Sequence, residues 1–90
     1  MTLKTYFPMT NTEFARRVGC HHTMASRLRN GHRVPSVHML ARILTTFDFD
    51  QQSLNRLWVA LSENTSEEAR AAKFGEWLRD AVFVEQPMAA

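Results

Sequence analysis

Ninety residues provide one hydrophobic core and no second, so any binding surface has to be built on the same few elements that hold the chain together. With 44% hydrophobic and 22% charged residues the composition is that of a globular chain, and no apolar run approaches the roughly 20 residues that a membrane-spanning helix needs. The net charge of +2 conceals a division: residues 1–47 hold seven cations (Lys4, Arg16, Arg17, Arg27, Arg29, Arg33 and Arg42) against Glu13, an excess of six, while residues 48–90 hold eight carboxylates against four cations. A first half of that sign, which also contains His21, His22, His32 and His38, is suited to meet a polyanion.

Residues 2–7 lack the basic start and long apolar centre of a secretory leader, so a cytoplasmic chain is expected, and Pro8 limits any first helix to that short stretch. Cys20 has no second cysteine to pair with, in keeping with a reducing compartment. Thr10-Asn11-Thr12-Glu13 has the spacing of a capping box and predicts a helix over 11–18. Gly19 ends it, because a left-handed residue after the last turn costs glycine least. A second short helix over 22–30 meets Gly31 in the same way. Pro35-Ser36 opens a third segment in which Val37, Leu40, Ala41, Leu44 and Phe47 recur at spacings of three and four and form the expected buried stripe. Asp50 or Ser53 caps the next helix, with Leu54, Leu57, Trp58 and Leu61 on one face. Thr65-Ser66-Glu67-Glu68 repeats the capping-box spacing before a last helix that aligns Phe74, Trp77, Leu78, Ala81 and Val82. Residues 87–90 are expected to fray, and no segment alternates with period two, so the predicted class is all-α.

The segment TNTEFARRVGCHHTMASRLRNGHRVPS, residues 10–36, resembles the helix-turn-helix of the lambda repressor and Cro-like family. The resemblance is carried by Ala15 four residues before Gly19, by the apolar positions Phe14, Val18, Cys20, Ala25 and Leu28, and by Asn30-Gly31 followed by Arg33-x-Pro35-Ser36. Ala15 is small where two helices cross closely, Gly19 makes the turn, and the apolar residues hold the second helix at a fixed angle. The resemblance covers residues 1–62 and implies a five-helix DNA-binding domain, leaving 63–86 as an additional amphipathic helix that packs on the domain or mediates dimerisation.

Carried over by position, it implies that the second helix of the pair lies in the major groove of double-stranded DNA, with His21, His22, Thr23, Ser26 and Arg27 at base edges. Asn11 falls where family members often place a glutamine that holds a phosphate. Asn30, His32 and Arg33 fall where the family grips the backbone, and Arg16, Arg17 and Arg29 are further candidates for phosphate. Three departures stand out. Histidine at position 21 is a poor helix cap, Ala25 is small where valine or isoleucine is usual and needs Phe14 or Met24 to fill the space, and the first helix is short, so the last helix should supply a missing wall.

The implied function is a sequence-specific transcription regulator, a Cro-like or immunity repressor from a phage or mobile element that occupies an operator. The alternative is an antitoxin or adaptor whose acidic C-terminal half binds a protein. Cys20, His21, His22, His32 and His38 do not stand at metal-ligand spacing, and His22 has neither a nucleophile nor a phosphate cradle beside it, so neither a metal, a cofactor nor catalysis is expected. A homodimer through Phe74, Trp77, Leu78, Ala81 and Val82 is favoured over a self-contained monomer, with the acidic face of Glu67, Glu68, Glu76 and Asp80 turned from DNA.

Overall fold

A computed structural model of the chain describes residues 3–6, 10–63 and 66–85. Its elements run β1 (Leu3–Tyr6), α1 (Asn11–Val18), α2 (His22–Arg29), α3 (Val37–Thr46), β2 (Asp48–Phe49), α4 (Gln51–Glu63), α5 (Glu67–Asp80) and β3 (Val82–Glu85). Five helices make up the bulk, as an all-α lambda-repressor-like fold requires. The departure is a small antiparallel sheet of order β1-β3-β2, in which Leu3 pairs with Glu85, Tyr6 with Val82, and Phe49 with Phe83. The expected first helix is therefore a strand. So short a segment gains little as an isolated helix, whereas Thr5 and Tyr6 suit a strand when Val82-Phe83-Val84 offers an open edge. The tail at 87–90 lies outside the described residues.

Helix boundaries follow their caps. The Glu13 amide donates to Thr10 Oγ1 at 3.1 Å, and the Met39 amide to Ser36 Oγ at 3.1 Å. At the start of α4 the Ser53 amide donates to Asp50 Oδ1 at 2.8 Å, so Asp50 is the cap and Ser53 lies inside. α5 is capped by Ser66, whose Oγ accepts from the Ala69 amide at 3.1 Å, one residue later than the capping-box spacing from Thr65 suggests. It stops at Asp80: Ala81 is extended, and Val82 begins β3 instead of continuing the helical face.

The core is an aromatic chain closed by leucines. Phe14 stacks on Phe47 with ring centroids 5.9 Å apart, Phe47 meets Phe83 at 5.7 Å and Phe49 at 6.2 Å, and Trp77 lies 5.0 Å from Phe49 and 5.5 Å from Phe74. Leu28, Ile43, Leu57 and Leu78 fill the remainder and are fully buried. Two expected stripes are corrected. On α3, Val37 is 87% exposed and Ala41 is also exposed, so the buried side consists of Ile43 and Phe47 flanked by Met39, Leu40 and Leu44. On α4, Trp58 turns outward and the fully buried Ser53 takes a core place. Ser53 is bonded on every side: its carbonyl accepts from Trp77 Nε1 at 2.7 Å, its hydroxyl accepts from the Val82 amide at 3.0 Å and from Arg56 Nη2 at 3.4 Å, and its amide donates to Asp50. A buried serine with its groups satisfied costs little and holds α4, α5 and β3 together.

Phe74, Trp77, Leu78 and Ala81 lie inside this single-chain core, and Val82 is half-buried. α5 thus forms the wall that the absent first helix leaves open. Its approach to α2 depends on Gly75, where a Cβ would stand 2.5 Å from the Gly31 amide nitrogen and 2.6 Å from its Cα. Gly31 has φ +75°, so neither glycine tolerates a side chain without displacement. Among the described residues no helix is long and apolar enough to cross a membrane.

Candidate nucleic-acid interface

α1 and α2 meet across a tight turn. The amides of Gly19 and Cys20 both donate to the Ala15 carbonyl, at 2.8 and 2.9 Å, with Gly19 left-handed at φ +84°. Arg42 of α3 closes the turn from outside by donating from Nη1 to the Gly19 carbonyl at 3.0 Å. Burial pushes the Cys20 thiol up, with the Arg42 guanidinium partly opposing that shift. A protonated, half-buried thiol is a packing group here.

α2 buries Ala25 and Leu28, spaced i and i+3, and both Phe14 and Met24 pack into the same cluster as the small Ala25. Its opposite side leaves His22, Thr23 and Arg27 exposed, with Ser26 half-buried. An α-helix with its side chains is about 10–12 Å across, a thickness that a DNA major groove about 12 Å wide admits. His21 proves to be the cap: its Nδ1 accepts from the Thr23 amide at 3.2 Å, and its ring lies 4.4 Å from that of His22. An acceptor Nδ1 places the proton on Nε2, so His21 keeps one outward donor while serving the helix start.

Asn30 Nδ2 donates to Ser26 Oγ at 3.2 Å, tying a gripping candidate to a reading candidate. Beyond it, Arg27, Gly31, His32, Arg33, Pro35 and Ser36 line a groove of about 1000 Å³. The far wall of that groove is α5, with Glu67 and Glu68. The acidic face is thus divided, with these two carboxylates placed beside the basic loop and not behind the domain.

The remaining arginines differ among themselves. Arg16 is exposed, and Arg17 pairs with Glu13 at 3.1 Å on the surface of α1. Arg29 points inward. It is half-buried, donates from Nη1 to Asn11 Oδ1 at 2.8 Å, and its carbonyl accepts from Arg79 Nη1 at 2.7 Å. Burial, then the neighbouring Arg79 charge, lowers the Arg29 pKa. Arg42, Gly75 and Arg79 escape sequence reasoning, since each acts through a residue 23 to 50 positions away or, for Gly75, through the shape of a helix surface. The one local signal is a glycine in the middle of an otherwise strong helix former. Among the described residues no three His, Cys, Asp or Glu side chains stand close enough to share a metal ion.

A sequence profile described as helix-turn-helix matches residues 9–50, which span α1, α2, α3 and β2. No curated protein and no solved structure matches the chain.

Proposed function

Residues 9–50 belong to the helix-turn-helix family of the lambda repressor and Cro, and from that premise we propose that this chain is a sequence-specific repressor, Cro-like or of the immunity type, from a phage or mobile element. A helix-turn-helix of this family is the reading part of a DNA-binding transcription regulator. The observation that carries the finer reading is the outer face of α2. His22, Thr23 and Arg27 are exposed on a helix fixed from behind by α1 and α5, and Arg27 shares a groove with the exposed His32 and Arg33. In this reading His22, Thr23, Ser26 and Arg27, with Nε2 of His21, meet base edges in the major groove. Asn11, Asn30, His32 and Arg33 bond phosphates, with Arg16 and Arg17 adding charge at the flank. Occupying an operator that overlaps a promoter then blocks transcription.

We also propose a homodimer on two half-sites about 34–36 Å apart, because one eight-residue helix reads few bases. With Phe74 and Trp77 committed to the chain's own core, that pairing needs another surface. Among the described residues the large apolar side chains open to it are Val37 on α3 and, adjacent on α4, Trp58 and Val59, each about half exposed.

The test is a titration of labelled duplex DNA over a salt series, followed by footprinting on candidate promoters. Four to seven neutralised phosphates give a slope of log affinity against log salt of about −4 to −6. Affinity independent of salt would exclude the proposal. His22→Ala and Arg27→Ala should relax discrimination at single base pairs by about 1–3 kcal/mol each, whereas Asn30→Ala and Arg33→Ala should weaken every sequence alike. Equal losses on specific and random DNA from all four would move the reading face elsewhere.

A further inference from the structure

Arg29 stands on the inward stripe of α2, at i+4 from the buried Ala25 and adjacent to the buried Leu28, while the reading side chains occupy the other side. Its Nη1 donates to Asn11 Oδ1 at 2.8 Å across the crossing of α2 on the first turn of α1. A guanidinium has donors only, so the carboxamide atom facing it has to be the oxygen. The amide nitrogen of Asn11 then occupies the other side of the group, with both its protons free of Arg29. Asn11 is half-buried, which limits how far the carboxamide can turn. Arg79 of α5 completes the arrangement, donating to the Arg29 carbonyl at 2.7 Å and bringing a second cation close to the first.

Resting on the DNA-binding reading above, we propose that Arg29 is a positioning residue: it holds the Asn11 carboxamide with Nδ2 outward so that Asn11 donates to a phosphate, and Arg29 itself makes no phosphate contact. A free asparagine at the start of a helix offers oxygen or nitrogen to its surroundings with similar ease, and an oxygen set against a phosphate repels it. Fixing the orientation removes that choice before DNA arrives, which spares the ordering cost on binding. Arg79, outside the part of the chain that the family profile covers, extends the same support back to α5.

The experiment compares Asn11→Ala, Asn11→Asp, Arg29→Met, the Asn11→Ala/Arg29→Met double variant and the wild type. A fluorescein-labelled mixed-sequence duplex is titrated over a salt series, with thermal unfolding of each protein alongside. The Arg29→Met and Asn11→Ala variants should each bind about tenfold more weakly, the double variant no more weakly than either, and all three should keep the wild-type salt slope. Asn11→Asp should unfold at or above the wild-type temperature, because a carboxylate accepts from Arg29 better than an amide does, and yet bind at least tenfold more weakly, having lost the outward donor. A salt slope reduced by about 0.9 in Arg29→Met, with additive losses in the double variant, would show Arg29 on a phosphate and overturn the assignment. Wild-type affinity in Asn11→Asp would overturn it too, and that readout does not depend on Arg29→Met folding. A wild-type protein that fails to bind the duplex at all refutes the DNA-binding reading, which is a different result from either of these.

Discussion

α2 and α5 are neighbours built by opposite rules. α2 fully buries only Ala25 and Leu28, packs Met24 partly against the core and gives the rest of its surface to polar side chains, whereas α5 buries Ala71, Phe74, Gly75, Trp77 and Leu78. An eight-residue helix with two buried side chains has little to hold it at a fixed angle, because isolated helices of that length are marginal in water. Its orientation is imposed from outside by α1 through Ala15 and Asn11, and by α5 through Gly75 and Arg79. The surface proposed to meet DNA and the mass that fixes it are thus separated along the chain. A reading helix can vary its outer residues freely provided the other helix keeps its shape.

Three variants break or sharpen that division. Trp77→Ala should have the largest effect. It removes a nearly buried indole, its contacts with Phe49 and Phe74, and its bond to the Ser53 carbonyl. A loss of about 3–5 kcal/mol is expected, a large part of the roughly 5–15 kcal/mol that domains possess, read by urea or thermal unfolding. If Trp77→Ala leaves stability intact and only changes the sedimentation coefficient, the residue belongs to a subunit contact and not to this core.

Gly75→Ala should come next. On an open helix surface alanine gains about 1 kcal/mol over glycine. Here its Cβ would stand 2.5 Å from backbone of Gly31, so the clash decides the sign, and a net loss of about 1–3 kcal/mol is expected. DNA binding should fall as well, since α5 is pushed from the end of the reading helix. Unchanged melting would mean that α5 does not approach Gly31 so closely.

The smallest effect runs in the favourable direction. Replacing Glu67 and Glu68 together by glutamine removes two carboxylates from the groove that Arg27, His32 and Arg33 share. Affinity for any duplex should rise roughly threefold to tenfold in dilute buffer and return towards wild type in high salt. No gain at low salt would place the DNA backbone away from this wall.

The local features of the first half were legible because each is set within a few residues: Thr10 and Ser36 as caps, Gly19 as the turn, Ala15, Ala25 and Leu28 as the buried side of the pair. Of the candidate site residues, His22, Thr23, Arg27, His32 and Arg33 are exposed, whereas Arg29 turns inward and His21 also serves as the cap. Spacing alone does not reveal either, because a guanidinium on the inner stripe is stable only where a carboxamide happens to face it. The second half was less legible. Trp58 and Val37 fit an apolar period yet lie outside, since a small domain has fewer inner places than apolar residues. Ser53 goes inside because Trp77 and Val82, from distant elements, satisfy its carbonyl and hydroxyl, and its own cap Asp50 takes the amide. β1 escaped altogether, because four residues carry too short a pattern and the pairing that makes them a strand lies at positions 82–85.

That last pairing has a consequence for timing. Leu3 and its partner Glu85 stand 82 positions apart, so the strand waits on the ribosome for the intervening chain. At about 5–20 residues per second the wait is roughly 4–16 s. Gly75, Trp77 and Arg79 arrive in the same late interval, and only then does α2 gain its rear support. The residues proposed to face DNA are synthesised before the brace and wait for it. A truncated translation product that stops within α5 therefore carries every proposed reading residue but lacks the support that α5 gives α2.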